Sequence, residues 1–336
     1  KPSMKKLIIS ATALGVLAFA GYSLSVEGKS EEKLPELFIP GMGQSVANDF
    51  KLSLESMDSS ELPEKQQVYK FKKFNITLED ARKKAAQFDP SFEKAAPKQN
   101  AQLNSYSFEN ETVLVEIEKD TGKMYYQDKT YPSEVAKNIP SDEEAVASAE
   151  EFLEKFGWLP ETFEPAGVTA NTIVPGDVNS ETEAGDYVST KTVHFYQKID
   201  QLPVLGVSRI MVEVGDNGQI VSARKYHKEV EAFTSYGLKS VREAAQDLQT
   251  SKGVHNISED AKNVVLDKVE LAYYEDPARL DQQPYLQPVY VFEGTYDYEG
   301  KKVSFSGVVP AVSSGSIKAM DADVPPAVSY KEKEGK

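Results

Sequence analysis

From about residue 68 onward, one pattern of apolar and polar positions occurs three times along the chain. Each time, a stretch with apolar residues three or four apart is followed by stretches in which they alternate. These are the periods of an amphipathic helix and of a half-buried strand. The first helical stretch opens at Thr77-Leu-Glu-Asp80 and turns Ala81, Ala85, Ala86 and Phe88 inward. The second opens at Ser141-Asp-Glu-Glu144, carries Ala145, Val146, Ala149, Phe152, Leu153 and Phe156, and stops at Gly157. The third opens at Ser240-Val-Arg-Glu243 and carries Ala244, Ala245 and Leu248 before Gly253. At each start a Ser or Thr hydroxyl can accept from the third helical N–H while an acid three residues on reaches back. The pattern predicts helices over 78–88, 142–156 and 241–250.

The alternating stretches come in pairs around Gly-containing turns. Val113–Glu118 is followed by Lys119-Asp-Thr-Gly122 and Lys123–Tyr126. Ile210–Val214 is followed by Gly215-Asp-Asn-Gly218 and Gln219–Ala223, and Val289–Glu293 by Tyr296-Asp-Tyr-Glu-Gly300 and Lys301–Ser306. Asp or Asn next to Gly supplies the positive φ that tight hairpins require. Trp158, just past the second helix stop, reads as a packing plug between helix and strand. The expected fold is α+β, with three tandem modules, each a helix packed on a short antiparallel β-meander. The modules span residues 68–135, 136–232 and 233–322.

The flanks differ. Met4-Lys5-Lys6 and the apolar run Leu7–Ala20, ending in Ala18-Phe19-Ala20, have the parts of a signal peptide. Ser23-Leu24-Ser25 is a second cleavage candidate, so residues 1–25 are a signal peptide or, if retained, a membrane anchor. The run is short for a spanning helix, which favours cleavage. Residues 26–67 are polar without sustained periodicity and read as a flexible tether. Within it, Leu34 to Phe50 holds apolar residues able to pack on a later module. Residues 323–336 read as a disordered tail.

A chain of 336 residues with 40% hydrophobic content has ample material for a core. Its net charge of -15 repels phosphate backbones and anionic headgroups. Nucleic acid is therefore excluded as an expected partner, and the membrane is reached only through the N-terminal segment. The absence of cysteine rules out disulfides, thiolate metal sites, a Cys nucleophile and a lipidated cysteine.

A family resemblance rests on His194-Phe-Tyr-Gln-Lys-Ile-Asp-Gln-Leu-Pro-Val-Leu-Gly206 and on Arg209-Ile-Met-Val-Glu-Val-Gly-Asp-Asn-Gly218-Gln-Ile-Val221. These stretches resemble the PepSY and protease-propeptide type of module, with its aromatic-Gln strand, Pro-Val-x-Gly turn and Gly-turn hairpin. They are also similar to the YycH/YycI type of extracytoplasmic regulators of a two-component histidine kinase. Tyr285-Leu-Gln-Pro-Val-Tyr-Val-Phe-Glu-Gly294 resembles the corresponding final strand. Gln201 stands where the turn after Asp200 usually carries Gly. The resemblance implies PepSY/cystatin-like modules that act as inhibitors, chaperones or regulators without catalytic residues.

The search for chemistry supports that expectation. His194, His227 and His255 have no metal-ligand spacing and sit in no nucleophile motif, so each reads as a structural imidazole. The acidic stretch 177–186 has Thr182 and Val188 where a helix–loop–helix calcium site needs Gly and Glu. It reads as a solvated loop, with weak calcium binding as the alternative. Aromatic residues cluster late, and Tyr285, Tyr290 and Tyr296 are the candidate partner anchors, against cross-strand packing as the plainer role. No cofactor or metal is expected. The expected function is a non-enzymatic, extracytoplasmic binding or regulatory protein that contacts another envelope protein, a histidine kinase or protease among them. The alternatives are a protease inhibitor or propeptide-like chaperone, a hydrolase with a scattered triad, and a structural envelope protein.

Overall fold

Three capping boxes close where the Ser/Thr-x-x-acid pattern places them. The computed structural model describes residues 32–42, 62–132, 136–173, 187–277 and 279–318. Residues 1–25, read as a signal peptide or anchor, the acidic stretch 177–186 and residues 323–336, read as a tail, lie outside these residues. In α1 (Leu78–Ala85), α2 (Asp142–Lys155) and α3 (Val241–Gln249), the hydroxyls of Thr77, Ser141 and Ser240 accept from the N–H of Asp80, Glu144 and Glu243. Each acid accepts from its cap N–H in return. Helices this short need such partners, because an uncapped start leaves four N–H groups orphaned.

The fifteen described strands run in chain order. They are β1 (Lys65–Phe71), β2 (Lys98–Asn100), β3 (Ser105–Glu109), β4 (Val113–Glu118), β5 (Met124–Asp128), β6 (Phe163–Ile173), β7 (Tyr187–Ile199) and β8 (Leu202–Gly206). Then follow β9 (Arg209–Val214), β10 (Ile220–Lys225), β11 (Val230–Gly237), β12 (Val254–His255), β13 (Lys262–Glu275), β14 (Tyr285–Tyr298) and β15 (Lys301–Pro310). The hairpins expected at 113–126, 210–223 and 289–306 form as β4–β5, β9–β10 and β14–β15.

The expected assembly of these pieces is wrong. The α+β reading of three helix-on-meander modules gives way to a mostly β structure. All fifteen strands connect into one mixed sheet, in the order β11-β1-β14-β13-β8-β7-β9-β10-β5-β4-β3-β2, with β6 on β7, β15 on β14 and β12 on β15. The hairpin assigned to the first module joins that of the second, because β5 pairs with β10 from Met124↔Lys225 to Gln127↔Ser222. Helices α1 and α2 therefore share one core, in which Ala81, Ala85, Ala145, Ala149 and Leu153 meet Val115, Ile117, Val193, Phe195, Ile210 and Val212. Trp158 lies in the same core, edge-on to Phe88 at 5.6 Å. Strand β1, at the start of the expected first module, crosses to pair with β11 and β14. Helix α3 covers a second core built on β13, β14 and β15. Local periodicity sets which residues form a strand, but not which edges meet, and here the edges meet across the expected boundaries.

The two parts of the sheet join at β8. This strand runs antiparallel to the end of β7 and parallel to the end of β13, from Tyr273↔Val204 to Glu275↔Gly206. Gly206 has φ +86°, and a Cβ there would lie 2.0 Å from the Glu275 carbonyl oxygen. Gly206→Ala is thus expected to cost about 2–5 kcal/mol, from backbone strain plus a forced shift of β13. Gly300→Ala, at φ +75° with open space around it, is expected to cost about 1–2 kcal/mol. Urea unfolding of both variants checks the contrast.

Candidate functional site

Both α1 and α2 lie on one face of the first part of the sheet. The side chains that alternate away from them form a face that no helix among the described residues covers. The pairing aligns one row across it: Ser107↔Glu116, Glu116↔Tyr125, Tyr125↔Arg224, Arg224↔Met211 and Met211↔His194. A neighbouring pair is Arg209↔Tyr196, and the Tyr226 N–H donates to the Arg209 carbonyl at 3.0 Å. Tyr196 and Tyr226 are 45% and 37% exposed, and Leu103, at the edge of the same face, is 53% exposed. The Arg224 guanidinium lies 4.9 Å from the Tyr125 ring centroid, an arrangement that holds a cation over an aromatic face.

This face is held in place by polar contacts. Glu213 accepts from Thr190 Oγ1 at 2.7 Å and from Ser222 Oγ at 3.0 Å. His194 Nε2 is 3.1 Å from Thr169 Oγ1, while its Nδ1 has no hydrogen-bond partner. A hydroxyl beside an imidazole is half of a nucleophile pair, but no acid among the described residues orients this ring. Burial first, and Arg209 second, lower the His194 pKa and favour the neutral ring. Arg209 Nε is buried without a hydrogen-bond partner.

A second feature lies where the two parts of the sheet meet. A cleft of ≈ 640 Å³ opens between Tyr69, Glu154, Leu159, Gln197, Lys225 and His227. Behind it runs the buried segment His227-Lys228. Lys228 Nζ donates to the Asp276 carbonyl at 3.1 Å and to Gln283 Oε1 at 3.3 Å. It also lies 3.9 Å from Glu275 Oε1 and 4.5 Å from the Phe71 ring centroid. Burial lowers the Lys228 pKa against the pull of Glu275, and burial raises that of Glu275 against the pull of Lys228. Glu275 also accepts from the Lys228 backbone N–H at 3.2 Å. The pair pins the segment that crosses from β10 to β11, and its buried charges meet one another rather than the cleft.

His227 is 2% exposed, packs at a tilt against the Phe163 ring with centroids 4.5 Å apart, and has no hydrogen-bond partner at either ring nitrogen. The third histidine, His255, accepts at Nδ1 from the Ile257 N–H at 3.2 Å, far along the chain on β12. No group of three or more His, Asp or Glu among the described residues is arranged to hold a metal ion. The three tyrosines expected as exposed anchors are not exposed. Tyr285, Tyr290 and Tyr296 are 7%, 2% and 6% accessible, and the Tyr290 hydroxyl donates to the Lys239 carbonyl at 2.9 Å. They pack the cores on β14, as aromatic strand residues do. The face residues Arg224, Tyr226 and Tyr196 were missed because charged and isolated aromatic positions carry no periodic signal. Their common side shows only once β9 is known to pair with both β7 and β10.

No family model and no curated protein matches the chain. Two solved structures share part of its course. One is an uncharacterized protein from Eubacterium rectale, at 10% identity and TM-score 0.43, covering 82% of this chain and 92% of that one. The other is the Bacillus megaterium YpeB C-terminal domain, at 12% identity and TM-score 0.35, covering 68% and 92%. At these scores neither likeness carries a functional assignment, so function rests on this chain's own residues.

The unpaired imidazole in the junction has a measurable consequence. Burial, with Lys225 and Lys123 nearby, lowers the His227 pKa from 6.5 to about 3. Between those values the unfolded chain binds a proton that the folded chain does not. Its contribution is therefore complete above about pH 6.5 and is lost as pH falls towards 3, by about 1.4 kcal/mol per pH unit. Glu275 titrates in the opposite sense, so the comparison is between wild type and His227→Phe. Urea midpoints are expected to diverge in favour of the variant as pH falls from 7 to 4, and a constant gap contradicts the assignment.

Proposed function

We propose that this is a non-catalytic binding protein that acts outside the cytoplasmic membrane and holds a protein partner of the cell envelope on the uncovered sheet face. The observation that carries the reading is the concentration of Tyr125, Arg224, Met211, Tyr196 and Tyr226 on a face that no helix among the described residues covers. Tyr, Met and Arg are the residue types enriched at the centres of protein interfaces, and they supply most hot spots. The hydrogen bonds that Glu213 accepts from Thr190 and Ser222 on the two neighbouring strands tie the face together, and a rigid surface loses less on binding. The sequence from His194 to Val221, which resembles PepSY-type modules, forms the end of β7, then β8, β9 and the start of β10, so the resemblance falls in part on strands that build this face. Export is proposed from the sequence of residues 1–25. A histidine kinase or a protease is the finer partner reading, and it rests on the resemblance.

The test places a photo-crosslinking residue at Tyr226 or Tyr196, and as a control at Glu151 on the exposed side of α2, in the full-length protein in its own envelope. One partner is expected to crosslink from the two face positions and not from Glu151. Arg224→Ala and Tyr226→Ala are each expected to weaken that complex by about 2 kcal/mol, roughly thirtyfold, with unfolding midpoints unchanged. Tyr290→Ala, by contrast, is expected to lose about 3 kcal/mol or more of stability. Equal crosslinking from all three positions, or full binding by the Arg224 and Tyr226 variants, removes this face as the binding surface.

A further inference from the structure

The second part of the sheet is covered on both faces. Helix α3 lies on one, and on the other lies an extended segment from the region read as a tether, residues 33–42. Leu34 is fully buried, and Leu37 and Ile39 are 2% and 4% accessible. Leu34 forms a parallel bridge with Ile317: its N–H donates to the Ser316 carbonyl at 2.9 Å, and its carbonyl accepts from the Lys318 N–H at 2.7 Å. Gln287 Nε2 reaches across to the Pro35 carbonyl at 3.0 Å. Leu37 and Ile39 then sit in a groove with Ala272 and Val289, flanked by Val291 and Val308. The segment leaves the groove through a turn, Ile39-Pro-Gly-Met42, with Gly41 at φ +97° and the Met42 N–H donating to the Ile39 carbonyl at 3.0 Å. A Pro–Gly pair at the centre is the signature of a type II turn.

This segment has the construction of a peptide ligand. Two prolines hold the residues before them in extended conformations, so little freedom is lost when it docks. Two apolar side chains at alternate positions fill the groove, and a few main-chain bonds at one end set the direction, as in strand-type peptide recognition. Its flank is not filled. A cleft of ≈ 410 Å³ lies beside it, lined by Leu37 and Met42 of the segment and by Gln246 and Asp247 of α3.

We propose that this groove is a peptide-binding site whose resident ligand is the chain's own residues 33–42, and that it takes in exchange an extended, proline-flanked partner segment with apolar side chains two apart. The site shares no residue with the uncovered face, so it stands or falls separately from the function proposed there. While the resident segment is covalently attached it competes at a high effective concentration, so a free peptide enters only when the attachment is cut.

The experiment uses the full chain with a protease recognition sequence inserted between residues 43 and 61, and a fluorescent synthetic peptide of residues 32–42 as the probe. After cutting, the labelled peptide is expected to co-elute with the protein and to release the cut segment, while the uncut protein takes up at least tenfold less. A peptide carrying Leu37→Asp and Ile39→Asp is expected not to enter. Three outcomes overturn the proposal. The cut protein keeps its own segment against excess labelled peptide, the Asp-bearing peptide enters equally well, or cutting unfolds the chain by circular dichroism, which makes the segment an inseparable part of the core.

Discussion

The close approach of Gly206 to the Glu275 carbonyl is the contact on which the two-part sheet depends. Parallel pairing between β8 and β13 brings backbone against backbone where any side chain would intrude. Because the approach is possible, β8 belongs at once to the strand that ends the first part and to the strand that ends in Glu275. The two cores are then held side by side by main-chain bonds rather than by loose domain packing. The junction cleft and the buried segment around Lys228 follow from that placement.

Such a junction leaves polar groups where water cannot reach them. Lys228 and Glu275 meet this by finding each other and two further acceptors, and removing either would strand the other charge at a cost of about 3–5 kcal/mol. Replacing both with apolar residues would cost far less, so the pair is better understood as fixing one arrangement of the crossing segment than as a source of stability. His227 beside it follows no such rule. An imidazole with both nitrogens unfilled weakens the fold, and its neutral form keeps that cost tolerable near neutral pH.

The sequence was most legible where information is local. Capping boxes at Thr77, Ser141 and Ser240 gave the helix starts, and Gly-containing turns with alternating flanks gave three hairpins. Assembly was not legible, because Met124–Gln127 and Ser222–Lys225 carry nothing that marks them as neighbours nearly a hundred residues apart. The same gap hid the site. Tyr285, Tyr290 and Tyr296 stood out as a cluster along the chain, yet aromatic residues on central strands are usually there to fill a core. Arg224, Tyr125 and Met211 form a cluster only across three strands. Leu34, Leu37 and Ile39 were noticed as apolar residues in a polar stretch, which is a weak signal that burial explains.

The bridge between Leu34 and Ile317 also determines how the folded part responds to force. The chain enters at residues 33–34 and leaves at 317–318, at adjacent points on parallel paths. A pull that draws the two ends apart therefore loads the bridge along its length, in shear. Its two hydrogen bonds and the buried Leu34 side chain must give way together, rather than one after another as in a peeled hairpin. A molecule held at one end and tugged at the other would resist first at this clasp, before any strand of the sheet felt the load.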